Sequence, residues 1–151
     1  MNVISLDVAR NRLAVIWLGG GSVVLLIVVV QSLLHHYIDS SGDFTQEAWG
    51  WLLPTILPTL AMIIGVLSYT ALDPKTSKFV VRSNFLTIAV FLSCLYLVLV
   101  LLPILFQPLS GRTASDAIGM MRISNLWLGP VQGLVGSALG ALFVSKERKQ
   151  P

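Results

Sequence analysis

Residues 13–34 read LAVIWLGGGSVVLLIVVVQSLL, 22 positions without an Asp, Glu, Lys, Arg or His. At ~1.5 Å per helical residue the run reaches across the ~30 Å hydrocarbon core of a bilayer. Arg10 and Arg12 precede it as in a signal peptide. It ends, however, in Gln31, Ser32, Leu33, Leu34 and His35 without a small-x-small cleavage site, so it reads as a retained anchor. Three more uncharged apolar runs follow, at 51–72, 85–106 and 126–144. The expected fold is an all-α integral membrane protein, one four-helix transmembrane unit over residues 1–151.

Composition agrees with this reading. Of 151 residues, 55% are hydrophobic and 11% charged, with a mean hydropathy of +0.82. Soluble domains carry ~25% charged residues, and a chain this small has much surface to cover. The lipid bilayer is therefore its expected solvent. The net charge of +3 comes from Lys and Arg dispersed over tails and loops, which excludes a nucleic-acid surface and suits a role in membrane orientation. Cys94 is the lone cysteine, so no intrachain disulfide forms.

Charge counts set the expected orientation. Arg10 and Arg12 in the first tail, Lys75, Lys78 and Arg82 between the second and third runs, and Lys146, Arg148 and Lys149 in the last tail make eight. Residues 35–50 hold no Lys or Arg, and residues 107–125 hold Arg112 and Arg122. Eight against two places both termini in the cytoplasm, in the inner (plasma) membrane of a bacterium. Tyr37, Trp49, Trp51 and Trp127 then form an outer aromatic belt. Between the third and fourth runs, Ser115 and Asp116 are candidate caps for a short surface helix. Pro130 favours a break between that helix and the fourth span. Asp73-Pro74 reads as a start signal for the third helix.

The spans contain no ionisable group except the thiol of Cys94 and the phenols of Tyr69 and Tyr96. This argues against ion-coupled transport and proton relays, which place carboxylates, histidines or basic groups at membrane depth. The chain resembles the small multidrug transporters in size and helix number, but their glutamate in the first span is missing from 13–34. Membrane thiol oxidoreductases of the vitamin K epoxide reductase type need a Cys-x-x-Cys, which Cys94 alone cannot supply. Ser22, Thr87, Ser93 and Cys94 have no base beside them, and a nucleophile without one is inert.

His35, His36 and Asp39 form a candidate polar rim at the outer end of the first span. If the helix continued past Leu34, either imidazole would reach the Asp39 carboxylate at i, i+3 or i, i+4. The two histidines point ~100° apart, so no metal site is assigned. In the second span Pro58 removes the donor for the carbonyl of Pro54 and is expected to kink the helix, whereas Pro54 lies in the first turn.

Gly129, Gly133, Gly136 and Gly140 are spaced by 4, 3 and 4 residues. At ~100° per residue they occupy a stripe about 60° wide, and Ser137 extends a small-residue row beside it. Close backbone approach drives helix association in lipid. The stripe is thus a packing seam, either within the protomer or between protomers, and Gln132 beside it is placed for an interhelical hydrogen bond. Gly19, Gly20 and Gly21 offer a crossing point for the fourth helix.

The sequence therefore points to a non-enzymatic multipass protein without a cofactor. It would form a homo-oligomer through the fourth helix and serve as scaffold, anchor or sensor for a partner such as a cytoplasmic protein. The alternative is an oligomeric pore or membrane-perturbing effector of the holin, toxin or phage-defence kind. A carrier or enzyme using the rim of His35, His36 and Asp39 ranks third.

Overall fold

A computed structural model describes residues 3–72, 80–110 and 113–143. Four helices account for most of them: α1 Leu6–Leu33, α2 Thr45–Leu72, α3 Ser83–Ser110 and α4 Ala114–Phe143. Each is long and apolar enough to cross a membrane. Two short antiparallel ribbons join them, β1 Val3–Ser5 with β4 Val80–Arg82, and β2 Ile38–Asp39 with β3 Gly42–Asp43.

The helices alternate in direction around one core. Trp17 of α1 and Tyr96 of α3 are fully buried with ring centroids 5.7 Å apart, and Leu52, Ile56, Ile63, Ile104, Met121, Leu128 and Leu139 pack in the same core cluster. Val15, Leu26, Phe91 and Leu126 lie on the outside, an apolar exterior suited to lipid rather than water. Gly20 and Gly21 mark the close crossings of α1. A Cβ on Gly20 would stand 2.6 Å from Leu97 of α3, and one on Gly21 3.3 Å from Leu60 of α2. The glycines of the first span therefore receive α3 and α2, not the fourth helix.

α1 begins seven residues before the uncharged run, at Leu6. Leu6, Ala9, Leu13 and Trp17 are buried at helical spacing, so core packing extends the helix through Arg10 and Arg12. α1 stops in a Schellman arrangement: His35 N–H donates to Ser32 O (3.1 Å) and His36 N–H to Gln31 O (3.0 Å). His35 takes the left-handed backbone, φ 57°, which strains a side chain that glycine would lack. His35→Gly should accordingly raise stability in detergent by roughly 0.5–1 kcal/mol. His35→Val should lower it, and thermal unfolding of the two variants reads the sign.

α4 corrects the expected break. It is one helix of 30 residues running through Pro130, because a proline removes a single donor and fits helical φ while the neighbouring bonds hold. Its cap is Thr113: Asp116 N–H donates to Thr113 Oγ1 (3.3 Å), and Thr113 Oγ1 donates to Asp116 Oδ2 (2.8 Å). α2 likewise runs through Pro54 and Pro58. α3 begins only at Ser83, after the extended residues 80–82. The start signal at Asp73-Pro74 and the cations Lys75, Lys78, Arg112, Lys146, Arg148 and Lys149 lie outside the described residues.

Candidate functional site

Most of the polar groups inside this apolar bundle answer backbone atoms or one another; the indole N–H groups of Trp17 and Trp51 are buried without an acceptor among the described residues. Pro108 carries no N–H, so the carbonyl of Ile104 in α3 has no helical donor. Gln31 of α1 supplies one, Nε2 to Ile104 O at 3.0 Å, and accepts the Tyr37 hydroxyl on Oε1 at 2.5 Å. Burial pushes the Tyr37 phenol up to about 12, which keeps it a neutral donor. Nearby, Trp49 Nε1 donates to Ser32 Oγ at 3.1 Å, tying the end of α1 to the start of α2.

A second knot gathers on α2, three residues before Pro58. The carbonyl of Thr55 accepts from Tyr96 Oη of α3 (2.9 Å) and, more loosely, from Gln132 Nε2 of α4 (3.4 Å). The Thr55 hydroxyl donates to Trp51 O at 2.6 Å. Gln132 thus makes an interhelical hydrogen bond inside the protomer. Beside this knot, at the end of the bundle that carries the β2–β3 hairpin, a cleft of about 300 Å³ opens between α2 and α4. Gly50, Trp51, Pro54, Thr55, Asn125, Leu128, Gly129 and Gln132 line it. Trp51 is buried, and its indole N–H finds no acceptor among the described residues. Such an unmade bond costs ~1–3 kcal/mol.

The glycine stripe faces outward. A Cβ built on Gly129, Gly133, Gly136 or Gly140 would meet no atom within 4 Å, so no other helix of the protomer occupies the seam. Ser137 is also exposed, its hydroxyl turned back onto Gly133 O at 2.8 Å.

His35, His36 and Asp39 follow one another from the end of α1 into β2 and do not share one helix. Because α1 ends at Leu33, the helical spacing that would bring an imidazole to Asp39 does not arise. His35 caps the helix, while Asp39 enters β2 and accepts from Ser41 and, across the bundle, from Ser115 N–H (3.1 Å) in the first turn of α4. Among the described residues no three His, Cys, Asp or Glu gather as metal ligands. The Ser41 hydroxyl and the Ser115 and Ser41 amides hold the Asp39 carboxyl below its ordinary value. A depressed carboxyl stabilises the fold above its unfolded pKa of ~3.9 and loses that contribution as pH falls through the folded value. Acidification below ~3.9 should therefore speed hydrogen exchange at Ser115, and Asp39→Asn should flatten that dependence. Exchange independent of pH beyond the intrinsic chemical rate would contradict the link.

At the opposite end Arg10 closes the bundle. Its Nε donates to Leu142 O (2.9 Å) and its Nη2 to Phe143 O (3.3 Å), the last two carbonyls of α4 among the described residues. In the sequence Arg10 reads only as a topology charge and Gln31 only as the end of a run. The signal for Gln31 is Pro108, which orphans a carbonyl that some donor in lipid must meet. Tyr96 and Trp51 have no such signal.

No protein-family model, curated protein or solved structure matches the chain.

Proposed function

We propose that the chain is a non-enzymatic multipass membrane subunit that self-associates through the glycine stripe of α4 and serves as scaffold, anchor or sensor for a partner protein. The observation that carries this reading is the open stripe. Glycine costs ~1 kcal/mol against alanine in a helix, and here four glycines leave a furrow that nothing fills among the described residues. A second copy of α4 fits such a furrow, since close backbone approach is what associates helices in lipid.

The first turns of α1 and the last described turn of α4 lie at the bundle end opposite the β2–β3 hairpin, where Arg10 meets Leu142 and Phe143. The distribution of Lys and Arg supports a cytoplasmic location for that end, in the inner membrane of a bacterium, where a cytoplasmic partner would meet it. Cross-linking of Ser137→Cys tests the reading. Ser137 is exposed beside the stripe, so a disulfide-linked dimer is expected in native membranes. Exclusively monomeric protein there and under gentle extraction would overturn self-association.

A pore remains the second reading, favoured by the uncharged polar cleft that adjoins the stripe at Gly129. Conductance of purified protein in liposomes separates the two.

A further inference from the structure

The cleft between α2 and α4 touches the stripe at Gly129, but its polar residues Asn125, Gln132 and Trp51 are required neither by self-association nor by membrane anchoring. We propose that it binds an uncharged, hydroxyl-rich molecule, a free sugar or polyol or the sugar headgroup of a glycolipid.

Three features select this chemistry. The lining residues include Asn125 and Gln132, which carry carboxamides, and Trp51, whose indole N–H is buried without an acceptor among the described residues. It also includes Gly50 and Pro54, whose carbonyls lose their helical donors because Pro54 and Pro58 have no N–H. The lining residues thus carry donors and acceptors together. A hydroxyl donates once and accepts twice, and so answers both kinds, whereas an acyl chain would leave them unmet. Among the lining residues there is no Asp, Glu, Lys, Arg or His, so a charged ligand would enter without a counter-charge.

Space and access agree. About 300 Å³ is at the small end of ligand pockets. The volume is kept open by Gly50 and Gly129, where a Cβ would meet nothing within 4 Å. Gly50, Pro54, Asn125 and Gly129 are exposed, so the cleft is open at the bundle surface. The bond from Gln132 to Thr55 O is long at 3.4 Å, leaving that carboxamide free to turn toward a ligand.

The test uses the full chain in lipid nanodiscs and follows tryptophan emission. Glucose, myo-inositol and glycerol are added from solution in one arm, and monoglucosyldiacylglycerol is included in the disc in the other. A saturable response in either arm is expected, and the arm that responds identifies the source. Asn125→Leu, at an exposed position, and Gln132→Leu should each weaken binding by roughly threefold to tenfold. Gly136→Leu, on the stripe but not in the cleft lining, should leave it unchanged, which separates this site from self-association. The proposal is overturned by an unsaturable response in both arms. It is equally overturned if glucosamine or gluconate matches glucose, if unglycosylated diacylglycerol matches the glucolipid, or if binding is unaltered in Asn125→Leu.

Discussion

Gly133→Leu is expected to turn an oligomer into a smaller species in mild detergent while the protomer itself becomes no less stable. The two effects have separate causes. Across the proposed interface a leucine would push facing backbones apart by the width of a side chain, and lipid would not replace in kind the close packing that this removes. Within the protomer the new Cβ meets nothing within 4 Å among the described residues, so the side chain starts into open space rather than into the core, where overpacking arises. Helix propensity then favours leucine by about 0.8 kcal/mol, and the variant's melting temperature should hold or rise. A loss of ~1.4 kcal/mol in association weakens assembly tenfold, so titration of protein against detergent resolves it. Gly136→Leu should behave alike. An unchanged oligomer in both variants would remove α4 from the interface, and a monomeric wild type would remove the interface itself.

Arg10→Met should destabilise the protomer by about 2 kcal/mol. Methionine preserves much of the length and apolar stem of the side chain, so the change isolates the guanidinium. Two charge-assisted hydrogen bonds to Leu142 O and Phe143 O disappear. Arg10→Lys should recover part of the loss, because an ammonium keeps the charge without the planar fork that serves two carbonyls at once. Thermal unfolding in detergent gives the size, and limited proteolysis at the end of α4 gives the place. Equal stability of Arg10→Met and wild type would mean that water caps α4 equally well.

The four helices were legible because an uncharged run of about 20 residues has few other readings. Their ends were less legible, for different reasons at each. α1 starts at Leu6 because Leu6, Ala9, Leu13 and Trp17 share a buried face, a periodicity that crosses Arg10 and Arg12 and so extends beyond the uncharged run. α4 passes through Pro130 because a lost hydrogen bond costs less than ending a helix already capped at Thr113. The glycine stripe and Gln132 were visible as spacing. That the stripe faces outward while Gln132 reaches α2 follows from how α4 is rotated in the bundle, which no local pattern records. The cleft was hidden for the same reason: Trp51 and Asn125 are far apart in sequence and meet only through the packing of α2 on α4.

The ribbon of β1 and β4 has a consequence for the order of events during synthesis. Val3 pairs with Arg82, Ile4 with Val81 and Ser5 with Val80, so the first strand waits for nearly eighty residues to be made before its partner exists. Two hydrophobic helices, α1 and α2, have already been synthesised by then. The pairing is therefore a late closure, a seam drawn between the start of the first helix and the start of the third once the ribosome has passed both. A fusion or tag joined directly to the amino terminus would burden that closing step more than the insertion of any single helix, and its cost would appear as slow maturation rather than as a lower melting point.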